Sequence, residues 1–382
     1  MTVVERPQRG TRPANRRELI LAAATDLFGS RGYERVSIGD VAEAVAVGPS
    51  ALYRHFSGKD QLLAGAIIDI ADRFAAEMST QTGPAAAISA AARFTLDHRP
   101  LGVLWEREAR HLPATTQAAV RERIRHARHR FIEASHAPHL TSAAAVAVLL
   151  SPSFHTTDLP RPGYDTLLAE LANRALATDL PVPPASAPSP PPGLQRSAKR
   201  ERLLAAAVRL FAERSYARVS MEDVAMAVGI SASSVYNYFP NKITMLVTAL
   251  DRANGYLQVT LDDTLAHAHD HAGGLRSLVA AYVRFALAHP NLLDVLITES
   301  HNLTLGQAGP LLQAQHEYVD EWVHLLRQIH PDLDTTRARV TVHAALTVVN
   351  DLSRTPNIGS RPGAQVRLTT LCDNILAISS AG

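Results

Sequence analysis

Residues 17–63 read RELILAAATDLFGSRGYERVSIGDVAEAVAVGPSALYRHFSGKDQLL, and residues 200–246 read RERLLAAAVRLFAERSYARVSMEDVAMAVGISASSVYNYFPNKITML. The two stretches align without a gap at a constant offset of 183 (200 minus 17), with about half of their positions identical. Self-similarity of this extent marks a duplicated structural unit and takes precedence over any reading of single elements. Of 38 basic residues only Lys59, Lys199 and Lys242 are lysines, and Lys59 and Lys242 occupy the same place in the two copies.

Each copy breaks into three short helices by its own punctuation. The first, around Asn15–Ser30, sets Leu19, Ile20, Ala23, Leu27 and Phe28 on one face at helical spacing. Ser37 with Asp40, and Ser220 with Asp223, have the Ser-x-x-acid spacing of a capping box and open a second helix carrying Val41, Ala42 and Val45 in copy one. That helix is too short to hold except by packing on its neighbours. A third helix is expected over Pro49–Phe56 and Ala232–Phe239, entered at Gly48-Pro49 and at Ser231-Ala232. Leu52 and Phe56, or Val235 and Phe239, then point inward. Ser50, Ala51 and Arg54, or Ser233, Ser234 and Asn237, point outward. Two helices joined by a tight turn, the second with small polar residues outside, suit entry into a major groove.

The run LF-x-x-x-G/S-Y-x-x-V-S-I/M-x-D-V-A followed by Y-x-H/Y-F-x-x-K, present twice, resembles the DNA-binding head of the TetR family. The resemblance is specific over residues 12–65 and 195–248 and architectural beyond them. It is also that of a tandem fusion of the actinobacterial kind. It implies an all-α fold of two tandem units, each a three-helix helix-turn-helix head on a helical body that holds a ligand cavity and a dimer face. It further implies that Ser37, Tyr53, His55 and Lys59, with Ser220, Tyr236, Tyr238 and Lys242, contact phosphates. Hydroxyls, cations and helix N-terminal amides are suitable donors, which position without specifying. Base reading falls to Ser50, Ala51 and Arg54 behind Pro49, and to Ser233, Ser234 and Asn237 behind Ala232. Arg pairs with guanine and Asn with adenine through two hydrogen bonds each. The competing reading makes Tyr53 and Tyr236 half-buried aromatics. Arg12, Arg16 and Arg17, and Arg196, Lys199 and Arg200, form arms preceding each first helix that reach phosphate or minor groove, or are solvated tails. Copy one has Ala46 where a turn glycine is usual, and Gly39 weakens its second helix by roughly 1 kcal/mol relative to Ala.

Residues 181–193 read PVPPASAPSPPPG, with seven prolines that exclude helix or strand interior. Such a segment is a semi-rigid spacer reaching roughly 40 Å at about 3.1 Å per residue. The expected division is a head over 1–60, a body over 61–180, a linker over 181–196, a second head over 197–245 and a second body over 246–382. The bodies resemble each other faintly: His98, Pro100, Leu101, Glu108 and Leu112 parallel His289, Pro290, Leu292, Glu299 and Leu303. Paired terminal helices are expected over 141–153 with 163–178 and over 334–353 with 363–379, burying Ala143–Leu150 and Val340–Val349.

Other chemistries find little footing. A single cysteine, Cys372, excludes an internal disulfide and a Cys-based zinc site. No run approaches 18 apolar residues, and the polar, Arg-rich start does not read as a secretory signal, so a cytoplasmic, nucleoid-associated protein without membrane contact is expected. No Gly-x-Ser-x-Gly, P-loop or His-Glu-x-x-His occurs, so neither enzyme nor cofactor is expected. His267, His269 and His271 tempt toward a metal, but Gly273-Gly274 reads as a helix end, where imidazoles sit well without one. The Arg121–Arg130 run reads as a solvated face, or as the receiver of an acidic ligand group such as the phosphates of an acyl-CoA.

The expected partners are double-stranded DNA and a small apolar effector, such as a lipid or steroid metabolite or an acyl-CoA. Pairing of the two halves would make an intramolecular pseudo-dimer, with further homodimerisation open. Because Arg54 and Asn237 differ, the operator should be asymmetric. A scaffold whose heads have lost DNA binding is the competing class. Trp105, Trp322, Phe94 and Phe285 are candidates for lining the cavity or simply for packing the core.

Overall fold

The computed structural model describes residues 16–182, 194 and 196–378; Arg12 and residues 183–193 of the proline stretch lie outside them. Helices and turns make up the described chain, with no strand among the described residues. Contacts divide it into two units. The first takes in the described residues up to Ser142 with Leu149–Thr156 and Arg161–Ala169. The second takes in Ala143–Val148, Thr157–Pro160 and the described residues from Glu170 onward.

The first sequence repeat runs α1 (Arg16–Arg31), α2 (Ile38–Ala44), α3 (Pro49–Tyr53), α4 (Lys59–Ser79), α5 (Pro84–Asp97), α6 (Leu101–Glu106), α7 (Ala114–Ser135), α8 (His139–Leu150) and α9 (Gly163–Leu176). The second runs α10 (Lys199–Arg214), α11 (Met221–Val228), α12 (Ala232–Val235), α13 (Lys242–Ala266), α14 (His271–Ala288), α15 (Pro290–Thr298), α16 (Leu305–Ile329), α17 (Thr335–Arg354), α18 (Pro356–Gly359) and α19 (Ala364–Ile375). A 3-10 turn follows α6 at Glu108–His111 and α15 at Ser300–Asn302; where copy one has another at Ser151–Phe154, copy two has α18. The element orders therefore match along the whole repeat, including bodies whose sequences agree only faintly.

In the first unit head and body share one core. Ile20, Leu21, Ala24 and Phe28 of α1 and Leu52 of α3 pack in a single cluster with Leu62, Leu63 and Ile67 of α4 and with Leu104, Leu112 and Val120 of the body. Trp105 and Phe94 pack partly buried against that cluster. In the second unit Trp322 is wholly buried, its ring 6.0 Å from Tyr282. Ala143–Leu149 is buried throughout. No single described helix is long and apolar enough to cross a membrane.

Three local expectations are corrected. The third head helices stop at Tyr53 and Val235, short of Phe56 and Phe239. The Leu52 carbonyl accepts from both His55 N (2.8 Å) and Phe56 N (2.9 Å), and the Val235 carbonyl from Tyr238 N and Phe239 N. These forked bonds close each helix into a turn. Gly273-Gly274 does not end a helix but lies in the first turn of α14, where Asp270 caps the start by accepting from Gly273 N at 2.6 Å. His267 and His271 consequently sit on different helices, and His267 closes α13 with its Nδ1 2.7 Å from the Asp263 carbonyl. Arg17 and Arg200 are not free arms. They lie inside α1 and α10 with guanidinium groups over the Phe56 and Phe239 rings at 5.7 and 4.7 Å.

Candidate nucleic-acid interface

Both heads are assembled by the same local devices. Ser37 Oγ accepts from Asp40 N at 3.1 Å while Asp40 Oδ2 accepts from Ser37 N at 2.7 Å, and Ser220 with Asp223 repeats this at 3.1 and 2.8 Å. Two orphan amides at the start of α2 and of α11 are thereby satisfied. The Ser37 hydroxyl and amide hold the Asp40 carboxyl below the usual carboxylate range, and the Ser220 amide and hydroxyl do so for Asp223. Each serine hydroxyl also donates to its Asp, at 2.6 and 2.9 Å, so both are capping residues before they are anything else.

The turn into the recognition helix uses a left-handed residue in both copies. Gly229 has φ +75 and Ala46, its equivalent, φ +54. The next amide, of Val47 or Ile230, reaches back to the carbonyl of Ala42 or Ala225 at 2.9 and 3.1 Å, which ends the second helix in a six-residue loop.

Beyond that turn, the outward residues stand as the spacing predicted. Pro49, Ser50, Arg54 and His55 are exposed and Ala51 partly so, while Leu52 and Phe56 are buried. On the second head Ser233, Asn237 and Tyr238 are exposed, Ala232 and Ser234 are partly so, and Val235 and Phe239 are buried. Tyr53 and Tyr236 are 56% and 51% exposed, which disfavours a packing role. The heads differ at the cap. Ser231 Oγ accepts from Ser234 N and lies 3.0 and 2.7 Å from the hydroxyls of Ser233 and Ser234, whereas Gly48 offers no side chain.

Lys59 and Lys242 also make contacts within the head. Each opens the helix after the recognition helix and folds back on the loop between the first two helices. Lys242 Nζ donates to the carbonyls of Tyr216 (2.7 Å) and Val219 (2.8 Å) and lies 4.2 Å from the centre of the Tyr216 ring. Lys59 Nζ lies 4.1 Å from the Tyr33 ring centre and 3.5 Å from the Glu34 carbonyl. Burial pulls both ammonium groups below the ordinary lysine range. The shared, half-buried lysine thus clamps this loop.

A carboxylate meets the same loop from the body. Glu108, 1% exposed in the turn after α6, accepts from Tyr33 N at 2.6 Å and pairs with Arg107. Glu299, 3% exposed in the corresponding place after α15, is held by Asn302 Nδ2 at 2.8 Å, and its charge favours the protonated Lys242 and disfavours ionisation of Tyr216. Sequence reasoning used these two glutamates only as landmarks of the body repeat. The signal that could have found them is an acid recurring at one place of the body match.

Other candidate positions fall outside the interface. The basic residues Arg121, Arg123 and Arg125 of α7 are exposed, and Arg123 and Arg125 pair with Asp72 and Glu122. Among the described residues no group of three or more His, Cys, Asp or Glu has the arrangement to hold a metal ion.

The head sequences match a known family and known regulators. The sequence profile of the family described as bacterial regulatory proteins, tetR family, matches residues 20–66 and again 203–248. The HTH-type transcriptional repressor Rv3405c of Mycobacterium tuberculosis is 36% identical over 118 residues, covering 28% of this chain and 62% of that protein. The HTH-type transcriptional activator FasR of Mycolicibacterium smegmatis is 26% identical over 161 residues, covering 42% of this chain and 73% of that one. A TetR-family regulator of Bordetella parapertussis superposes with a TM-score of 0.43 at 20% identity, over 49% of this chain and 96% of its own. With the family profile met at both heads and the helix-turn-helix built by the same residues in each, the chain belongs to the TetR family of bacterial transcription regulators and carries its DNA-binding head twice.

Proposed function

We propose that this regulator is a repressor that places two unequal heads on one asymmetric operator and is released by a small apolar effector. The observation that carries the reading is the pattern of agreement between the heads. Capping serines, clamp lysines, exposed tyrosines and the outer serine (Ser50, Ser233) are shared, while Ala51 and Arg54 are replaced by Ser234 and Asn237 on the outer face. What maintains the head is kept, and two of the three positions that would read bases have diverged. In this reading Tyr53, His55, Tyr236 and Tyr238 hold phosphates, with the helix starts at Ser37 and Ser220 beside them. Lys59 and Lys242 keep the supporting loops in place. Arg54 favours guanine and Asn237 adenine.

Pairing within one chain is supported by the composition of the second unit, which is completed by residues 143–148 and by residues from 170 onward of the first repeat. Arg174 donates to the Ile375 carbonyl at 3.0 Å, and Asn374 donates to the Arg174 carbonyl at 2.7 Å and to Thr178 Oγ1 at 2.9 Å. Two recognition helices in one chain would then face major grooves about 34 Å apart. Repression follows the name of the relative Rv3405c, although FasR carries the name of an activator.

Footprinting with the full chain on the DNA upstream of its own gene tests the reading. One chain per site, on half-sites that differ, is expected. Arg54→Ala should relax preference in one half-site and Asn237→Ala in the other, each by about 1–3 kcal/mol. An inverted repeat occupied by two chains would sink the asymmetric operator, and absence of any specific footprint would return the scaffold.

A further inference from the structure

A cleft of about 860 Å³ opens in the second unit between the head and the body. One wall is α10 with the end of α11, and the other is made by α13, α14 and the start of α15. Its floor is apolar, with Leu204, Val208, Ala249 and Phe285 among the lining residues. Tyr256 stands 44% exposed, an unusual position for a large ring, and stacks on Phe285 with centres 5.4 Å apart. That volume lies within the ordinary range for small-molecule sites, roughly 300–1,000 Å³.

The rim is cationic. Arg196, Arg202, Arg209 and Arg252 line the cleft, and Glu201 is the one carboxylate among its lining residues. Glu201 is claimed by Arg252 at 2.6 Å and Arg196 at 2.8 Å, with Arg200 at 3.7 Å. Arg209 reaches Glu213 at 3.3 Å, and Arg202 donates to the Val228 carbonyl at 3.2 Å. Guanidinium groups outnumber the carboxylates that face them, so an incoming anion gains partners without displacing all of the existing pairs.

Copy one does not repeat this chemistry. Subtracting the repeat offset of 183 places Leu19 opposite Arg202, Asp26 opposite Arg209, Asp69 opposite Arg252 and Arg73 opposite Tyr256. Three cations become one apolar residue and two acids, and the exposed ring becomes an arginine paired with Asp69 at 3.8 Å. The scaffold is the same, so the Arg-rimmed cleft is a specialisation of the second unit and not a by-product of the fold.

We propose that this cleft binds an anionic amphiphile, its chain along Leu204, Val208, Tyr256 and Phe285 and its carboxylate or phosphate head among Arg202, Arg209 and Arg252. Such a ligand touches the first helix of the head and the last turn of α11, which leads through Gly229 into the recognition helix. Occupancy is thereby linked to head position. The proposal deepens the effector reading above by naming the chemistry of the ligand and its place.

Calorimetric titration of the full chain without DNA tests it, using decanoate, decyl phosphate and decanol, all below their aggregation limits. At least one anion should bind at one site per chain and at least tenfold more tightly than decanol. The double variant R209D/R252D, which installs the acids of copy one, should weaken that binding tenfold or more at a temperature where its melting curve shows it folded. Tyr256→Ala should weaken decanoate and decyl phosphate alike. Arg209→Gln alone gives the same reading, at smaller amplitude, if the double variant folds poorly. Equal binding of decanol, undiminished binding in the Arg variants, or no binding of either anion overturns the proposal. Because DNA is absent, none of these outcomes depends on whether the heads act as a repressor, which gel shifts of the same variants address separately.

Discussion

Ala46 and Gly229 occupy one position of one turn, yet only Gly229 is at ease there. An L-residue in the left-handed region brings its Cβ against the carbonyl that follows, at a cost near 1 kcal/mol that glycine escapes. Ala46→Gly should therefore stabilise the first unit by about 1 kcal/mol and Gly229→Ala destabilise the second by a similar amount. The reverse trade occurs at the loop before α2 and α11. Gly32 has φ +83, while its equivalent Ser215 is held at φ +70, ψ 153, a region almost reserved for glycine. Ser215 Oγ is buried with no hydrogen-bond partner among the described residues. Ser215→Gly should raise the stability of the second unit by about 1–2 kcal/mol, a shift of roughly 2–4 °C per kcal/mol in its melting temperature. A melting curve that does not move, or that falls, would show the strain to be relieved in some other way.

At the scale of elements, the clamp on the loop before α2 and α11 separates two readings of the shared lysine. A phosphate contact would make Lys242→Met shallow the salt dependence of DNA binding by about one ion while leaving stability alone. The clamp geometry gives the opposite expectation. Stability should fall by about 1–3 kcal/mol because two carbonyls lose a charged donor, and the salt slope should hold. Lys59→Met should cost less, since its carbonyl contact is longer. The body has its own signal in α17, where burial, with Arg339 and His316 adding to it, pushes His343 down to about 4 from an ordinary value near 6.5. The unfolded chain then takes up the proton first as pH falls. The second unit should lose stability between pH 6.5 and about 4, and His343→Leu should flatten that slope in a melting series. The heads were legible in the sequence because a capping box, a turn residue and inward apolar spacing are local. Gly273-Gly274 was misread because the Asp270 cap outweighs the weak helix preference of two glycines. The lysine clamp was not legible, and Glu108 and Glu299 showed only as a recurring acid, since their contacts depend on chain segments brought together only by folding. The body repeat was faint because apolar residues of similar size replace one another freely inside a core.

For the whole molecule, the question is what completes the second unit. Its boundary does not follow the duplication, because residues 143–148, 157–160 and those from Glu170 to the linker belong to it by contact although they lie in the first repeat. Leu171, Ala172 and Ala175 are buried, and Arg174 and Asn374 exchange hydrogen bonds with the backbone of each other's helix neighbourhood. Removing everything before residue 194 would strip that cover and uncover apolar surface on the remaining half. A fragment of residues 194–382 has one ready replacement, the same face of a second copy, because an interface between two related helix pairs can close as a symmetric one. The fragment should therefore sediment as a dimer at concentrations where the full chain sediments as a single 41.2 kDa species. Arg174→Ala together with Asn374→Ala in the full chain should lower the stability of the second unit without producing dimers, as lost hydrogen bonds do not uncover the face. A fragment that stays monomeric and melts like the intact second unit would mean that the first repeat contributes nothing to it. A full chain that is already dimeric would move the pairing from within the chain to between chains. Either result would also remove the reason to expect one chain on one asymmetric operator.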